Sequence, residues 1–334
     1  MMKVLAVLLS VVCGLLSLQL QAKPYKGAEI YSNNSWLYGR YEMRMRVAKG
    51  GGILSTFFTY KNQSEVEGNF WEEIDIEVFG KSNAEIWQSN IILGSTRPTI
   101  QSHEEHEVED SLGDAYHTYV LEWTPDYVAW FLDGVEVRRI IGTSTVTSLT
   151  NAQSARMNIW ASDSVEWTGE WDDSVLPVYQ FVNYIEYKTY NTTTKLFEGG
   201  WRDDFDTFDT LRWSKANWTF ASNRVDFAPE NAVVKDGILV LALTHESATG
   251  YTGTPPVDEP TSSSSSSASS SAVASSSVAS SSVSSAASVA SSSSTAAASS
   301  TPSTNSSGGS GGGAINLFWL LCLSGLLFFP KIRR

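Results

Sequence analysis

One stretch, Trp71 to Gly80, constrains this chain more than any other part of the sequence. From Glu73 to Val78, acidic and branched apolar residues alternate strictly, which is the two-residue period of a β-strand with one buried face. Glu73, Asp75 and Glu77 therefore share one face of the predicted strand. Like charges this close together raise at least one pKa and cost stability. A strand that had only to be stable would carry Thr or Ser at these positions.

Glycoside hydrolysis is one reaction that needs such a row of acids. It requires a carboxylate and a carboxylic acid on either side of one glycosidic bond, about 5–5.5 Å apart when configuration is retained. Backbone positions four apart on a strand lie roughly 13 Å apart, and two long Glu side chains leaning inward from a curved sheet close much of that gap. Asp75 between them could hydrogen-bond one partner and separate the two pKa values. The row alone leaves open a solvated strand face beside a metal or a basic partner.

The segment from Trp71 to Glu77 resembles the E-I/L-D-x-E signature of glycoside hydrolase family 16, which contains lichenases, laminarinases, agarases and carrageenases. The resemblance implies an all-β fold, a concanavalin-like β-jelly-roll sandwich of two antiparallel sheets. It also implies roles for the acids: Glu73 would be the nucleophile, Glu77 the general acid and base, and Asp75 the assisting carboxylate. A structural calcium is implied as well, but backbone oxygen ligands leave no signature that places it.

Further residues are predicted to bind substrate, either from the resemblance or because the two-residue period puts them on the face of the acids. These are Phe58, Tyr60, Asn62, Trp71, Gln88, Asn90, Arg156, Asn158, Trp160, Trp167 and Trp218. The amides Gln88 and Asn90 stand two apart on a predicted strand, where a purely apolar core would not place them. For Phe58 and for each Trp, packing in the core or at the rim remains an open alternative.

Composition excludes several classes of function. The formal net charge of −13 argues against nucleic acid and anionic membranes as partners. Cys13 and Cys322 are the two cysteines of the chain and lie in terminal apolar segments, so no disulfide or thiolate site is expected in the folded part. His103 and His106 are three apart, unlike the zinc motif H-E-x-x-H, and are interpreted as a solvated loop. No cofactor is expected for the chemistry.

Short strand patterns with regular turns run from Lys23 to about Tyr190, with Asp133-Gly134 as the strongest hairpin signal. In most family members the domain would end there, but residues 198–247 resemble the segment with which ordinary members begin, and Gly27 to Tyr31 resembles their middle. We therefore predict a circularly permuted catalytic domain at 23–254, with the former termini joined near 192–200. Permutation is tolerated where termini lie close together on the surface. The alternative is a separate small C-terminal domain.

The ends of the chain read as processing and tethering segments. Residues 1–22 have the basic, apolar and small-residue regions of a secretory signal peptide. Residues 255–313 form a Ser- and Gly-rich linker expected to be disordered. Residues 314–334 combine an apolar run with a basic end, which resembles a sorting tail cut by rhomboid-type proteases; a plain membrane anchor is the alternative. The expected location is secreted or on the cell surface of a bacterium.

The combined expectation is a monomeric endo-β-glucanase that acts with retention of configuration. The resemblance implies that its substrate is mixed-linkage β-1,3-1,4-glucan, cut at β-1,4 bonds next to β-1,3 linkages. Within the family, laminarinase or agarase specificity is the alternative. Outside it, a non-catalytic carbohydrate-binding sandwich or an adhesin on the Ser-rich stalk remains open.

Overall fold

The computed structural model describes residues 22–97 and 99–259. The predicted signal peptide up to residue 21, the linker from residue 260 and the C-terminal apolar segment lie outside the described residues. Within the described ranges, no helix has the length and apolar character needed to cross a membrane.

Strands dominate the described chain, and its helices are single turns. The strands are β1 (Tyr25–Trp36), β2 (Gly39–Arg46), β3 (Ile53–Tyr60), β4 (Trp71–Phe79), β5 (Ile86–Gly94), β6 (Ile100–Gln101), β7 (Glu104–Glu107), β8 (His117–Trp123), β9 (Tyr127–Leu132), β10 (Val135–Ile141), β11 (Gln153–Ala161), β12 (Val178–Asn191), β13 (Leu196–Asp203), β14 (Trp213–Lys215), β15 (Asp226–Phe227), β16 (Ala232–Lys235) and β17 (Ile238–His245). The α-helical turns are α1 (Ser144–Thr147) and α2 (Val165–Thr168), and 3-10 turns occupy Ser82–Ala84, Asp173–Val175, Pro229–Asn231 and Glu246–Ala248.

The strands form a curled, mainly antiparallel sheet with two layers. The first layer runs in the order β14-β1-β11-β3-β4-β5, and β6 and β7 both pair with β5. The second runs β10-β9-β8-β2-β12, where β13 and β17 pair with different halves of β12 and β16 lies beyond β17. The start of β1 pairs with the end of β17 and so joins the layers. The predicted all-β sandwich is confirmed.

The alternation in β4 places its apolar residues in the core. Ile74, Ile76 and Val78 are fully buried and belong to one cluster with Tyr41 and Met43 of β2 in the other layer. Burial of side chains of this size stabilises the fold by about 1.5–3 kcal/mol each. Because successive strand residues point to opposite faces, the same alternation directs the acids of β4 away from this core.

Residues after Asn191 complete both layers. β14 pairs with β1, while β17 pairs with the first half of β12 and buries Leu239 to Leu243 completely. A separate C-terminal domain is therefore wrong, because this segment shares the core of the sandwich.

The predicted start of the linker at Pro255 requires correction. Asp258 accepts three hydrogen bonds from the guanidinium of Arg44, the shortest being 2.7 Å, and one of 2.8 Å from Asn183. The Tyr116 hydroxyl donates to the Pro256 carbonyl at 3.1 Å. Residues 255–259 are thus attached to the outer face of the second layer. These contacts could not be predicted from the composition of the segment, because the partner residues lie far away in the sequence.

The expectation of a solvated loop at His103 to His106 is wrong for His106. This residue lies in β7, with Nε2 at 2.8 Å from Ser89 Oγ and its ring at 4.5 Å from the Trp87 ring. Burial lowers the pKa of His106. In the described part of the chain, no group of three or more His, Cys, Asp or Glu side chains is placed to share a metal ion.

Candidate active site

The acids of β4 lie between two strands that present polar residues on the same side. Residues directly opposite each other in an antiparallel pair share a face of the sheet. On one side Glu73 is opposite Tyr60 of β3, Asp75 opposite Phe58 and Glu77 opposite Thr56. On the other side Asp75 is opposite Asn90 of β5, and Glu77 is opposite Gln88. We call this side of the first layer the acid face.

Glu73 receives a hydrogen bond that favours its carboxylate. The indole Nε1 of Trp71 donates to Glu73 Oε2 at 2.5 Å. Burial raises the pKa of Glu73 to about 7, opposed by the Trp71 hydrogen bond, a hydrogen bond with Asp75 and the charge of Arg156. The carboxylate is therefore partly desolvated and at the same time supported by several donors.

Glu77 has fewer groups that favour its ionised form. Gln88 Nε2 donates to Glu77 Oε2 at 2.6 Å. Burial raises the pKa of Glu77 to about 8; the Gln88 hydrogen bond lowers it and the charge of Glu73 raises it further. Glu77 therefore has less support for its ionised form from hydrogen bonds and positive charge than Glu73 has.

Asp75 lies between the two glutamates and is 3% exposed. Burial, followed by the charges of Glu73 and Glu77 and a hydrogen bond with Glu73, raises its pKa well above the ordinary value. The same hydrogen bond lowers the pKa of Glu73, as expected when a protonated Asp75 donates to an ionised Glu73. From the other layer, Trp130 Nε1 donates to the Asp75 carbonyl at 2.9 Å and so holds this part of β4 in place.

This arrangement provides both groups that acid-assisted displacement needs. Glu73 is the long acid whose ionised form has more hydrogen-bond and charge support, Glu77 has less such support, and both lie on the acid face. Paired carboxyl groups held in different environments are the usual sign of distinct acid and nucleophile roles.

Arg156 organises the adjacent part of the acid face. It donates to Asn62 Oδ1 at 2.9 Å and to Glu29 Oε1 at 3.1 Å, and its guanidinium lies 4.5 Å from the centre of the Tyr60 ring. Glu29 also accepts from Asn158 Nδ2 at 3.0 Å and is 3% exposed. Burial raises the pKa of Glu29, while Arg156 and Asn158 lower it.

Comparison with known proteins agrees with this geometry. The sequence model described as "Glycosyl hydrolases family 16" matches residues 10–175. The chain is 43% identical over 251 residues to a β-glucanase of Fibrobacter succinogenes, covering 73% of this chain and 71% of that protein. The chain belongs to glycoside hydrolase family 16.

Other relatives of this family 16 glycosidase align over shorter stretches. A β-glucanase of Brevibacillus brevis is 32% identical over 167 residues, covering 50% of this chain and 61% of that protein. Among solved structures, a Bacillus licheniformis β-glucanase is 30% identical over 49% of this chain and 71% of its own, with a TM-score of 0.42.

The glycosidase brings together the predicted residues of β3 and the loop that follows it. The half-buried Phe58 has its ring 6.3 Å from the Tyr60 ring, edge to face. The Tyr60 hydroxyl donates to Glu65 Oε2 at 2.6 Å. Asn62 is exposed and accepts from Ser154 Oγ at 3.0 Å as well as from Arg156. Phe58 is thus not a core residue, and Tyr60 and Asn62 already hold protein partners.

Asn90 and Asn158 are nearly buried at the centre of the acid face. Asn90 is 2% exposed, and its Oδ1 has no hydrogen-bond partner among the described residues. Asn158 is 4% exposed and its Oδ1 accepts from the Thr56 hydroxyl. A buried polar atom costs free energy unless it is paired, so Asn90 Oδ1 differs from Asn158 Oδ1 in leaving that cost uncompensated by a protein partner among the described residues.

The predicted tryptophans separate into two groups. Trp160, 8% exposed, packs against Phe220 at 5.0 Å and Trp167 at 5.9 Å between ring centres. Trp218, 38% exposed, packs instead against Tyr31 at 5.2 Å. Trp160 and Trp167 therefore lie together, whereas Trp218 belongs to a second aromatic group on the far side of β11.

Sequence reasoning missed several residues of this site. They are Glu29, Tyr31, Thr56, Glu65 and Phe220, together with Arg97, whose guanidinium carbon lies 4.9 Å from the centre of the Trp71 ring. A signal existed for Glu29, because it is the one acid in the otherwise uncharged run Gly27 to Tyr31. The signal gains its meaning only from Arg156, which the fold brings to it from β11.

Proposed function

We propose that this chain is a secreted endo-β-glucanase that hydrolyses β-1,4 bonds next to β-1,3 linkages in mixed-linkage β-1,3-1,4-glucan, with retention of configuration. The observation that carries the proposal is the division of the acid face: Glu73 is paired with the Trp71 donor and Glu77 with the Gln88 amide. A solvated acidic strand would not place each acid against its own hydrogen-bond donor.

In this proposal Glu73 attacks the anomeric carbon while Glu77 protonates the oxygen of the leaving sugar, giving a covalent glycosyl-enzyme. Glu77, now ionised, takes a proton from water, and the water attacks the same carbon to release the product and restore Glu73. Trp71 and Asp75 stabilise ionised Glu73 between turnovers. No step requires a cofactor.

The substrate class rests on relatives and on residues of the acid face. Proteins that match the chain over most of the described domain are named β-glucanases. Phe58, Tyr60, Asn62 and Arg156 form one connected group beside Glu73, as the resemblance to lichenases within the family implies. Laminarinase and agarase specificities are the alternatives within the family.

A polysaccharide panel with the Glu73→Gln variant tests the proposal. We expect the wild type to release reducing sugar from lichenan and barley β-glucan, with little release from laminarin, carboxymethylcellulose or agarose. The Glu73→Gln variant should bind lichenan and show an unfolding transition like that of the wild type, but it should lose turnover. Turnover retained by this variant would refute the nucleophile assignment, and preferential cleavage of laminarin or agarose would refute the substrate. Binding without product from the wild type would favour the carbohydrate-binding alternative.

Azide rescue separates the roles of the two glutamates. With an activated aryl β-glucoside as substrate, Glu77→Ala should yield a β-glycosyl azide, because azide attacks the glycosyl-enzyme. Glu73→Ala should yield the α-azide by direct displacement. The reverse pairing of products would exchange the two roles.

We also propose circular permutation of the domain at 23–254. In support, residues 198–247 complete the sandwich, and the Fibrobacter protein aligns over 251 residues whereas the Brevibacillus protein aligns over 167. Export through the segment at 1–22, tethering or rhomboid processing through 314–334, a monomeric state and a structural calcium remain proposals of the same kind. Intact mass of the exported protein tests the first two.

A further inference from the structure

The indole of Trp71 lies between two side chains that fix its orientation. Its ring centre is 5.6 Å from that of Tyr60, edge to face. The guanidinium carbon of Arg97 lies over the same indole, 4.9 Å from its centre. Trp71 in turn donates to Glu73. Arg97 is therefore one residue removed from the proposed nucleophile.

Arg97 is held by the main chain of two separate loops. It donates to the Ser64 carbonyl in the β3–β4 loop at 2.6 Å and to the Gly94 carbonyl at the end of β5 at 3.1 Å. A guanidinium presents several donors in a rigid plane, so two such contacts fix both its position and its tilt. Lysine, with a single ammonium on a flexible stem, cannot reproduce this geometry.

The Ser64 contact also connects Arg97 to the backbone of the catalytic strand. Ser64 Oγ accepts from the main-chain N–H of Glu72 at 3.2 Å, and Glu72 lies between Trp71 and Glu73. The loop that Arg97 grips is thus attached to β4 where the donor and the nucleophile stand. A solvated surface arginine without a structural role would not connect the β3–β4 loop to the end of β5.

We propose that Arg97 is a positioning residue that holds the Trp71 indole where its N–H donates to Glu73. It does not touch the reacting atoms; it acts through Trp71. A cation over the ring also polarises the indole and strengthens its N–H as a donor. The inference rests on the proposed role of Glu73 as nucleophile.

Loss of Arg97 should weaken the hydrogen bond that favours ionised Glu73. The pKa of Glu73 then rises, because that hydrogen bond lowers it. Glu73 must be ionised to attack, so the acid limb of the kcat/KM profile should move to higher pH. A hydrogen bond to a charged group corresponds to a shift of about one pH unit.

The test compares Arg97→Ala and Arg97→Lys with the wild type in the full-length protein. The matched control is Arg139→Ala, which removes an arginine held over the Tyr127 ring at 3.9 Å in the second layer. Two quantities are measured: the pH dependence of kcat/KM on lichenan, and the position of the Trp71 indole resonance in a ¹H–¹⁵N spectrum. Trp71→Phe identifies that resonance by its disappearance.

We expect Arg97→Ala to move the acid limb of the kcat/KM profile to higher pH. The Trp71 indole resonance should move upfield, as a weakened hydrogen bond requires. Arg97→Lys should give a partial effect, and Arg139→Ala should change neither quantity. In a Trp71→Phe background, Arg97→Ala should leave the acid limb where Trp71→Phe alone places it. If Arg97→Ala does not fold, Arg97→Lys carries the same comparison.

An unmoved acid limb and indole resonance in the Arg97 variants, even with lower thermal stability, would overturn the proposal. So would an acid-limb shift that adds in full to that of Trp71→Phe. If the wild type cleaves no glucan of the panel, the proposed function fails, and the indole resonance alone then decides whether Arg97 positions Trp71.

Discussion

Replacing Gln88 by Leu removes the amide that donates to Glu77 at 2.6 Å while keeping a side chain of similar volume. This hydrogen bond lowers the pKa of Glu77, which burial raises to about 8. Hydrogen bonds to charged groups contribute about 1.5–3 kcal/mol, and one pKa unit corresponds to about 1.4 kcal/mol. Glu77 is partly exposed, so water replaces part of the lost interaction. We therefore expect a rise of about one unit.

Glu77 acts as the acid in the proposed mechanism, so its pKa sets the alkaline limb of kcat/KM. In Gln88→Leu that limb should move to higher pH by about one unit, since the proton is held more strongly. The assay is initial-rate hydrolysis of lichenan across the pH range of folded enzyme. The control is Gln101→Leu, which changes an exposed amide on β6. An alkaline limb that stays in place or moves to lower pH would refute the assignment of Glu77 as the acid.

Three further predictions concern stability. The pKa of Glu77 is raised in the folded state to about 8 from an ordinary value of 4.5, so Glu77 destabilises the fold increasingly as pH rises between these two values. Glu77→Gln should therefore stabilise the protein by about 1–3 kcal/mol at pH 8 but little at pH 4. Urea unfolding at the two pH values measures this difference. Glu72 is fully buried and accepts hydrogen bonds from the main chain of the loop before β11, so Glu72→Ala should lower the free energy of unfolding by about 2–4 kcal/mol; a loss below about 1 kcal/mol would contradict this contact. A chain ending at Thr254 should melt several degrees below one ending at Glu259 because it lacks Asp258; equal melting temperatures would show that residues 255–259 do not stabilise the sandwich.

Strands with an unbroken two-residue period were predictable from the sequence. The short strands predicted between Lys23 and about Tyr190 are present, and the predicted Asp133-Gly134 turn joins β9 to β10 with positive φ at both residues. The three acids of β4 were predictable for the same reason, since period two places them on one face. Local rules were sufficient here because each feature depends on neighbours in the chain.

Other parts of the site depend on contacts between distant residues. Glu29 becomes part of the acid face only because β1 pairs with β11 and brings it to Arg156. The attachment of residues 255–259 to the sandwich depends on Arg44, which lies far earlier in the chain. Arg97 follows the end of β5 in a polar loop with no periodic pattern, so its place over Trp71 could be found only from the fold.

The central claim is that Glu73 forms a covalent bond to the sugar. With an activated 2-deoxy-2-fluoro glycoside of a mixed-linkage oligosaccharide, the fluorine slows hydrolysis of the glycosyl-enzyme, which therefore accumulates. The labelled protein can then be digested and the modified residue located by mass spectrometry. The account predicts one glycosyl group per chain, attached to Glu73. An adduct on Asp75 or Glu77, or turnover that yields product of inverted configuration without any adduct, would contradict it.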